Sequence, residues 1–378
     1  MMSSAVPVFS ISRHQDKFAC TVLGGESLPT TGRYEILGVH GAGVVNGEYF
    51  VTTSRDLVIA LHGYNESVET LGTSIRGALT LYIRDIGTGN AYVLSDVLGA
   101  SSTFRYASDE IEYYSSSLPR LLAELRAEGI HLRKSLKYAA VLASAGHGGL
   151  VESPYDEITT VGLFKYVAIC QDGVGINDYP LKEEFFGHFT GYGSDLKKLR
   201  KRLAEDISAN VRAATNYQAR RHVCQLSSGI DDRIVTAAIN RCGSGPEYNM
   251  YNNGAPSDPN TLISLQLAGR FGYQVSKDPG YSAAMIAGKA VEDSRWRLHE
   301  TAGVLRGPAT PGIRVEPNLL LTSGFASLLG GLSTHAYDAK PAGPFPANDL
   351  DRAVIGVLGL FEFKRGAGCS ARSEARRV

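Results

Sequence analysis

The stretch Leu226-Ser227-Ser228-Gly229-Ile230-Asp231-Asp232-Arg233 gathers residue types suited to holding a phosphate. A short run of small residues between a strand and a helix leaves backbone N–H groups free and puts the positive end of the helix dipole at one point. Ser227 and Ser228 add hydroxyl donors, Gly229 lets the backbone approach closely, and Asp231 could hold Mg²⁺ against phosphate oxygens. The plain alternative is a βα turn in which Ser and Asp serve as helix caps.

The elements that must position this loop follow from its flanks. His222–Leu226 reads as a short buried strand, 227–231 as a tight loop and Asp232–Arg241 as a helix. A second unit repeats the pattern, with a strand over Glu247–Asn252, a loop over Asn253–Pro259 and a helix over Asn260–Phe271. Strands that alternate with helices predict a parallel, doubly wound sheet. Ahead of them, Leu196, Leu199, Leu203, Ile207 and Val211 recur at helical steps behind Ser194, a good N-cap. The opposite face carries Lys197, Lys198, Arg200, Lys201 and Arg202, a run that reads as a solvated helix face.

The first half is mostly β. Short apolar runs at Val8–Ser12, Phe18–Leu23, Tyr34–Val39, Tyr49–Thr53, Leu57–Leu61, Leu79–Asp85, Ala91–Ser95 and Thr103–Ala107 predict strands, and Gly87-Thr88-Gly89-Asn90 predicts a hairpin turn. Helices are expected over Leu118–Ala127 and Arg133–Ala145. His40-Gly41-Ala42-Gly43 and Asn46-Gly47 read as turn glycines, and the Tyr-rich Glu112-Tyr113-Tyr114 as packing.

With 378 residues, two domains are expected. Lys and Arg (38) balance Asp and Glu (38), so the chain lacks the basic excess that nucleic-acid or anionic-membrane binding favours. The apolar stretch Ala353–Phe361 is too short to span a bilayer, and MMSSAVPVFS has no basic n-region, so the expectation is a cytoplasmic protein with no nucleic-acid or membrane partner. Cys20, Cys170, Cys224, Cys242 and Cys369 are scattered without a C-x-x-C pair, which argues against a disulfide framework or structural zinc. They read as small buried hydrophobes. His299 and Glu300, on a predicted helix after Arg295-Trp296-Arg297, read as surface or core residues, and the nine histidines show no metal-binding spacing.

The loop resembles the pyrophosphate loop S-G-G-x-D-S of the ATP-pyrophosphatase superfamily, in the form L-S-G-G-x-D-S-R of asparagine synthetase-like proteins. Other stretches fall in the family's order. Leu81–Asp85 through Ala91–Gly99 is similar to its glutaminase-type hairpin ending in D-P-L-G, and Glu152–Ile158 to its T-P-F-x-x-I segment. Tyr251-Asn252-Asn253-Gly254 through Gly272 is similar to its adenine-side strand and following helix. The resemblance implies an α/β chain: an N-terminal nucleophile (Ntn) hydrolase-like αββα sandwich over 1–190, a doubly wound ATP-pyrophosphatase-like domain over 191–365, and a flexible tail over 366–378. It also implies ATP and Mg²⁺ as cofactors, held at Leu226, Ser227, Ser228, Gly229, Ile230, Asp231, Asp232 and Gly254 with Asp231 on the metal. A small-molecule or peptide carboxylate would be activated as an acyl-adenylate and amidated.

The chain departs from that pattern at several points. Met2 and Ser3 stand where the family's nucleophilic cysteine follows the initiator Met, so glutamine hydrolysis is not expected. Ser228 replaces a loop glycine, and Asp232 puts a carboxylate where pyrophosphate would arrive, unless Asp231 and Asp232 both hold Mg²⁺. Near Ser323, Ser327 and Leu328 replace the family's acidic pair, and the chain past Ser227 is short for the family. Two readings follow: an amide-forming ligase without glutaminase activity, or a non-catalytic descendant that serves as a binding, assembly or structural component. The second leaves room for a homo-oligomer or an assembly partner.

Overall fold

The computed structural model describes residues 7–14, 17–24, 28, 32–97, 101–145, 153–180, 196–219, 221–252, 254–276 and 318–321. The N-terminal half is built from two antiparallel sheets. The first contains β1 (Val8–His14), β2 (Lys17–Leu23), β8 (Thr103–Ala107), β9 (Ile111–Ser115) and β10 (Ile158–Val161), in the order β10-β8-β9-β1-β2. The second contains β3 (Tyr34–Gly41), β6 (Leu79–Asp85), β7 (Ala91–Ser95), β11 (Lys165–Cys170) and β12 (Gly173–Asp178), in the order β12-β11-β7-β6-β3. A small ribbon of β4 (Gly43–Val45) and β5 (Tyr49–Val51) hangs beside β3.

Strand pleating sorts the side chains into layers. On β6, Tyr82 joins Phe9, Ile11, Val93 and Val167 between the two sheets. Its neighbours Leu81 and Ile83 point the other way, onto helices α1 (Ser54–Ala60) and α2 (Val68–Ser74) through Leu57, Leu61 and Leu71. The outer face of the first sheet is covered by α3 (Leu118–Ala127), whose Leu118, Leu121, Leu122 and Leu125 repeat at helical spacing against Val8 and Phe104, with Tyr138 of α4 (Leu136–Ala145) beside them. The layers therefore run helix, sheet, sheet, helix.

Two sequence expectations are corrected here. Leu57–Leu61 belongs to a helix and its turn, not a strand. Thr53 Oγ1 accepts a hydrogen bond from the Asp56 N–H at 3.1 Å while Asp56 Oδ2 accepts from the Thr53 N–H at 3.1 Å. This capping box starts the helix one turn earlier than the apolar run suggests. His40 and Gly41 are likewise part of β3, whereas Asn46 and Gly47 form the expected turn with φ of 57° and 73°. The hairpin at Gly87–Asn90 is as expected: Asp85 Oδ1 accepts from the N–H groups of Gly87 and Thr88, and Gly89 has φ +75°.

Two titratable groups in this half, the partly buried His40 and the buried Asp85, set a pH dependence. Burial holds the His40 imidazole below its ordinary value, and its Nδ1 lies 2.9 Å from Ser116 Oγ, which also accepts from Tyr82 OH at 2.7 Å. The folded state thus binds this proton less readily than the unfolded chain, so the contribution is present above about pH 6.5 and is lost as pH falls from there. For Asp85, burial works upward, but the Arg33 bond and the Thr88 and Gly87 N–H groups outweigh it and hold the carboxyl low. Its contribution disappears only in acid, below about pH 4. The urea midpoint is expected to fall in two stages as pH is lowered, and His40→Gln should flatten the first stage alone.

The C-terminal half is α/β. Helix α5 (Leu196–Asn216) precedes β13 (Arg221–Gln225), α6 (Ile230–Arg241), β14 (Tyr248–Tyr251), α7 (Pro259–Phe271), β15 (Val275–Ser276) and β16 (Asn318–Leu321). All pairings in this sheet are parallel, in the order β15-β14-β13-β16. Cys224, Met250 and Tyr248 face Ile207 and Val211 of α5 and Ala238 and Ile239 of α6. The mixed α/β character expected from the sequence is what the chain adopts. The expected domain boundary between 190 and 191, Ser194, the segment around Ser323 and the tail over 366–378 lie outside the described residues.

Candidate functional site

Strand order decides where a ligand site can form. β13 has β14 on one side and β16 on the other, so the succession β13, β14, β15 runs one way and β16 lies on the opposite side. Loops leaving the carboxyl ends of the strands diverge at such a reversal and open a crevice. The loop leaving β13 there is Leu226–Gly229.

That loop is shorter than the sequence suggests, because Ile230 and Asp231 already belong to α6. Leu226 is buried, donates its N–H to the Tyr251 carbonyl at 2.9 Å, and accepts on its own carbonyl from Asn252 Nδ2 at 2.7 Å. Ser227 Oγ accepts from the Gly229 N–H at 3.0 Å, which closes a tight serine turn. Gly229 is the N-cap of α6, with φ −59° and ψ 145°, and no side chain caps this end. Ser228 Oγ donates across to Asn260 Oδ1 on α7.

The opposite wall is organised by one side chain. Asn252 Oδ1 accepts from the Gly254 N–H at 2.8 Å and from Thr261 Oγ1 at 3.3 Å, while its Nδ2 also donates to Ser264 Oγ at 3.1 Å. Gly254 has to be small, since a Cβ there would sit 1.9 Å from Thr261 Oγ1. Between the walls lies a cleft of about 140 Å³, lined by Leu226, Ser227, Asn252, Gly254, Asp258, Asn260 and Thr261 together with Gln225 and Tyr251.

The expected site residues divide as follows. Leu226, Ser227 and Gly254 line the cleft. Ser228 reaches it through Asn260, and Gly229 and Ile230 form the helix entrance behind it. Asp231 is in the first turn of α6, and its side chain lies outside what is described. Asp232 is only 4% exposed and lies on the strand side: burial pushes the Cys224 thiol up to about 12, a Thr236 bond opposes this, and the Asp232 charge adds to it. Asp258, Asn260 and Thr261 were not anticipated. Their signal was the Asp258-Pro259 pair, an N-cap followed by proline at N1, which starts a helix facing the loop.

The donors left over suit a phosphate: backbone N–H groups at a helix start, the Ser227 hydroxyl and the Asn260 amide. The volume falls short of the roughly 300–1,000 Å³ of a complete small-molecule site. Asp258, whose carboxylate shares the Thr261 hydroxyl proton with Asn252 Oδ1 at 3.3 Å, would oppose a bare anion and favour one carrying Mg²⁺. Elsewhere, burial raises the Cys20 thiol to about 11 against the pull of Arg84, so it is not a ready nucleophile. Met2 and Ser3, on which the expected loss of a glutaminase nucleophile rests, lie outside the described residues, as do His299, Glu300 and Cys369. Of the other cysteines, Cys224 is buried as expected, whereas Cys20, Cys170 and Cys242 are partly exposed.

No family model matches the chain, and no curated protein matches it. Among solved structures, it is similar to glutamine phosphoribosylpyrophosphate (PRPP) amidotransferase from B. subtilis complexed with ADP and GMP, at 11% identity and a TM-score of 0.25 over 69% of this chain and 64% of that one. A structure described as the allosteric regulatory enzyme of purine biosynthesis matches at 11% identity and a TM-score of 0.26, over 69% of this chain and 63% of that one. The chain thus spans a little under two thirds of the length of either protein. Neither likeness bears on the chemistry of the cleft.

Proposed function

We propose that the chain is an asparagine synthetase-like protein whose C-terminal half is an ATP-pyrophosphatase-type domain that binds ATP with Mg²⁺ at the Ser227 loop and forms an amide bond from a small-molecule or peptide carboxylate. The observation that carries this reading is the position of the Leu226–Gly229 loop, at the carboxyl end of β13 where the strand order reverses, facing Gly254 across an open cleft. Bound ATP supplies the phosphoanhydride whose cleavage activates a carboxylate. Around it the chain's own residues would do positioning work. The Ser227 hydroxyl and the loop N–H groups would hold phosphate oxygens, Asp231 would hold the metal, and Gly254 would keep the opposite wall low.

The test is ATP–pyrophosphate exchange with Mg²⁺ across a panel of small carboxylates and peptides, alongside a thermal shift with Mg–ATP. Exchange is expected with a suitable acid, and Asp231→Ala should lower it by about two orders of magnitude while the fold survives. No exchange with any acid, together with no Mg–ATP shift, would overturn the reading.

A second reading, a non-catalytic binding or assembly component, is favoured by one feature. Ser228 is tied to Asn260 across the cleft, and the Gly229 N–H is already taken by Ser227 Oγ. Ser228→Gly removes that tie. A Mg–ATP shift that appears only in S228G would mean that the loop is held shut as a structural joint in the native chain.

A further inference from the structure

A second cavity, of about 270 Å³, shares no lining residue with the Ser227 cleft. It lies between the two halves of the chain. Glu48, Tyr49 and Phe50 of the β4–β5 ribbon and Asp56 of α1 form one wall, and Ala213, Asn216, Tyr217 and Gln218 at the end of α5 form the other. The halves meet directly at its edge, where Phe50 and Tyr217 place their ring centroids 5.1 Å apart and Tyr217 OH lies 3.3 Å from Thr52 Oγ1, whose own proton goes to Asp56 Oδ2.

Three sources of negative potential converge here. Glu48 and Asp56 bring carboxylates, and neither forms an ion pair among the described residues. Asp56 Oδ2 is engaged by the Thr52 and Thr53 N–H groups and the Thr52 hydroxyl. The third source is the carboxyl end of α5, a helix of 21 residues whose last turn carries no basic side chain. Among the described residues no Lys, Arg or His lines the cavity. The described cations nearest along the chain, Arg55 beside Asp56 and Arg212 beside Ala213, are both exposed. Tyr49 registers the field: burial raises its phenol, Asp56 adds to the shift, and Arg55 opposes it.

Around the carboxylates stand the rings of Tyr49, Phe50 and Tyr217, whose faces attract cations and whose bodies cover hydrocarbon. A divalent metal is poorly matched: no group of three or more His, Cys, Asp or Glu side chains suited to a metal occurs among the described residues. Two carboxylates, a helix carboxyl end and an aromatic wall match a charged head on a short carbon body.

We propose that this cavity binds a small organic cation, with an ammonium or guanidinium head at Glu48 and Asp56 and its carbon body against Tyr49, Phe50 and Tyr217. Because its walls come from both halves, the ligand would also brace one half against the other.

Isothermal titration calorimetry of the full chain with putrescine, agmatine and choline, and with neutral 1,4-butanediol as the uncharged control, tests this. At least one cation should bind and the diol should not, with affinity falling as salt rises. Glu48→Gln, a change in an exposed turn, should weaken binding by about tenfold, and Glu48→Lys should abolish it. Failure of all three cations to bind overturns the proposal. So does binding that Glu48→Gln and Glu48→Lys leave unchanged, or a diol that binds as well as the cations.

Discussion

Asn252→Ala is expected to lower the unfolding free energy by about 3 kcal/mol, seen as a fall in the urea midpoint with an unchanged m-value. Its side chain makes four hydrogen bonds, to the Leu226 carbonyl, Ser264 Oγ, the Gly254 N–H and Thr261 Oγ1. Together they join the end of β13 to the loop after β14 and to the first turns of α7. Alanine removes the side chain but leaves its partners in place, so the Gly254 N–H and the Leu226 carbonyl each lose a partner in a half-buried position, the costly way to break a hydrogen bond. Asn252→Asp separates the donor role from the acceptor role. The carboxylate can still accept from Gly254 and Thr261, but it faces the Leu226 carbonyl with no proton to offer. N252D should therefore be destabilised at neutral pH and should regain part of the loss as the pH falls toward its protonation. The same substitutions widen or distort the cleft, so any Mg–ATP shift should disappear with N252A at temperatures where the protein is still folded.

The strand that ends at Leu226 and the small residues after it could be read from the sequence, because both depend on local composition. Strand and helix periods there are short, unambiguous and flanked by turn residues. The tie from Ser228 to Asn260 could not, since it joins residues 32 positions apart whose approach is set by the parallel register of β13 on β14, His222 opposite Tyr248 through Gln225 opposite Tyr251. The helix at Ser54 was hidden for a different reason. Leu57-Val58-Ile59-Ala60-Leu61 suits a buried strand by composition, and only the Thr53–Asp56 pair, three residues apart, marks a helix start. Strands β10, β11 and β12 were not anticipated either. β10 and β11 pair with β8 and β7, more than fifty residues earlier, so their register comes from tertiary contacts more than from their own sequence. The cavity at Glu48 is the extreme case, since its two walls come from residues about 160 positions apart that the fold alone brings together.

Gly41→Ala should destabilise the chain by more than 3 kcal/mol, against about 1 kcal/mol for Gly47→Ala, although both glycines have positive φ, +94° and +73°. At Gly47 a Cβ would meet nothing within 4 Å, so only the left-handed backbone resists the substitution. At Gly41 the Cβ would lie 2.0 Å from the Ala78 carbonyl oxygen, a backbone atom that cannot swing aside. That oxygen also accepts from the Ala42 N–H at 2.9 Å, and next to it Val44 and Arg76 exchange backbone hydrogen bonds at 2.8 and 2.9 Å. These contacts hang the β4–β5 ribbon from the segment that leads into β6. Moving the backbone to admit a methyl group at Gly41 must therefore shift the ribbon that carries Glu48, Tyr49 and Phe50. Thermal melts of the two variants give the stability contrast. Titration of each with the best-binding cation adds a readout that a purely local loss of stability would not move: G47A should keep the affinity of the parent chain, while G41A, assayed well below its own melting temperature, should lose most of it.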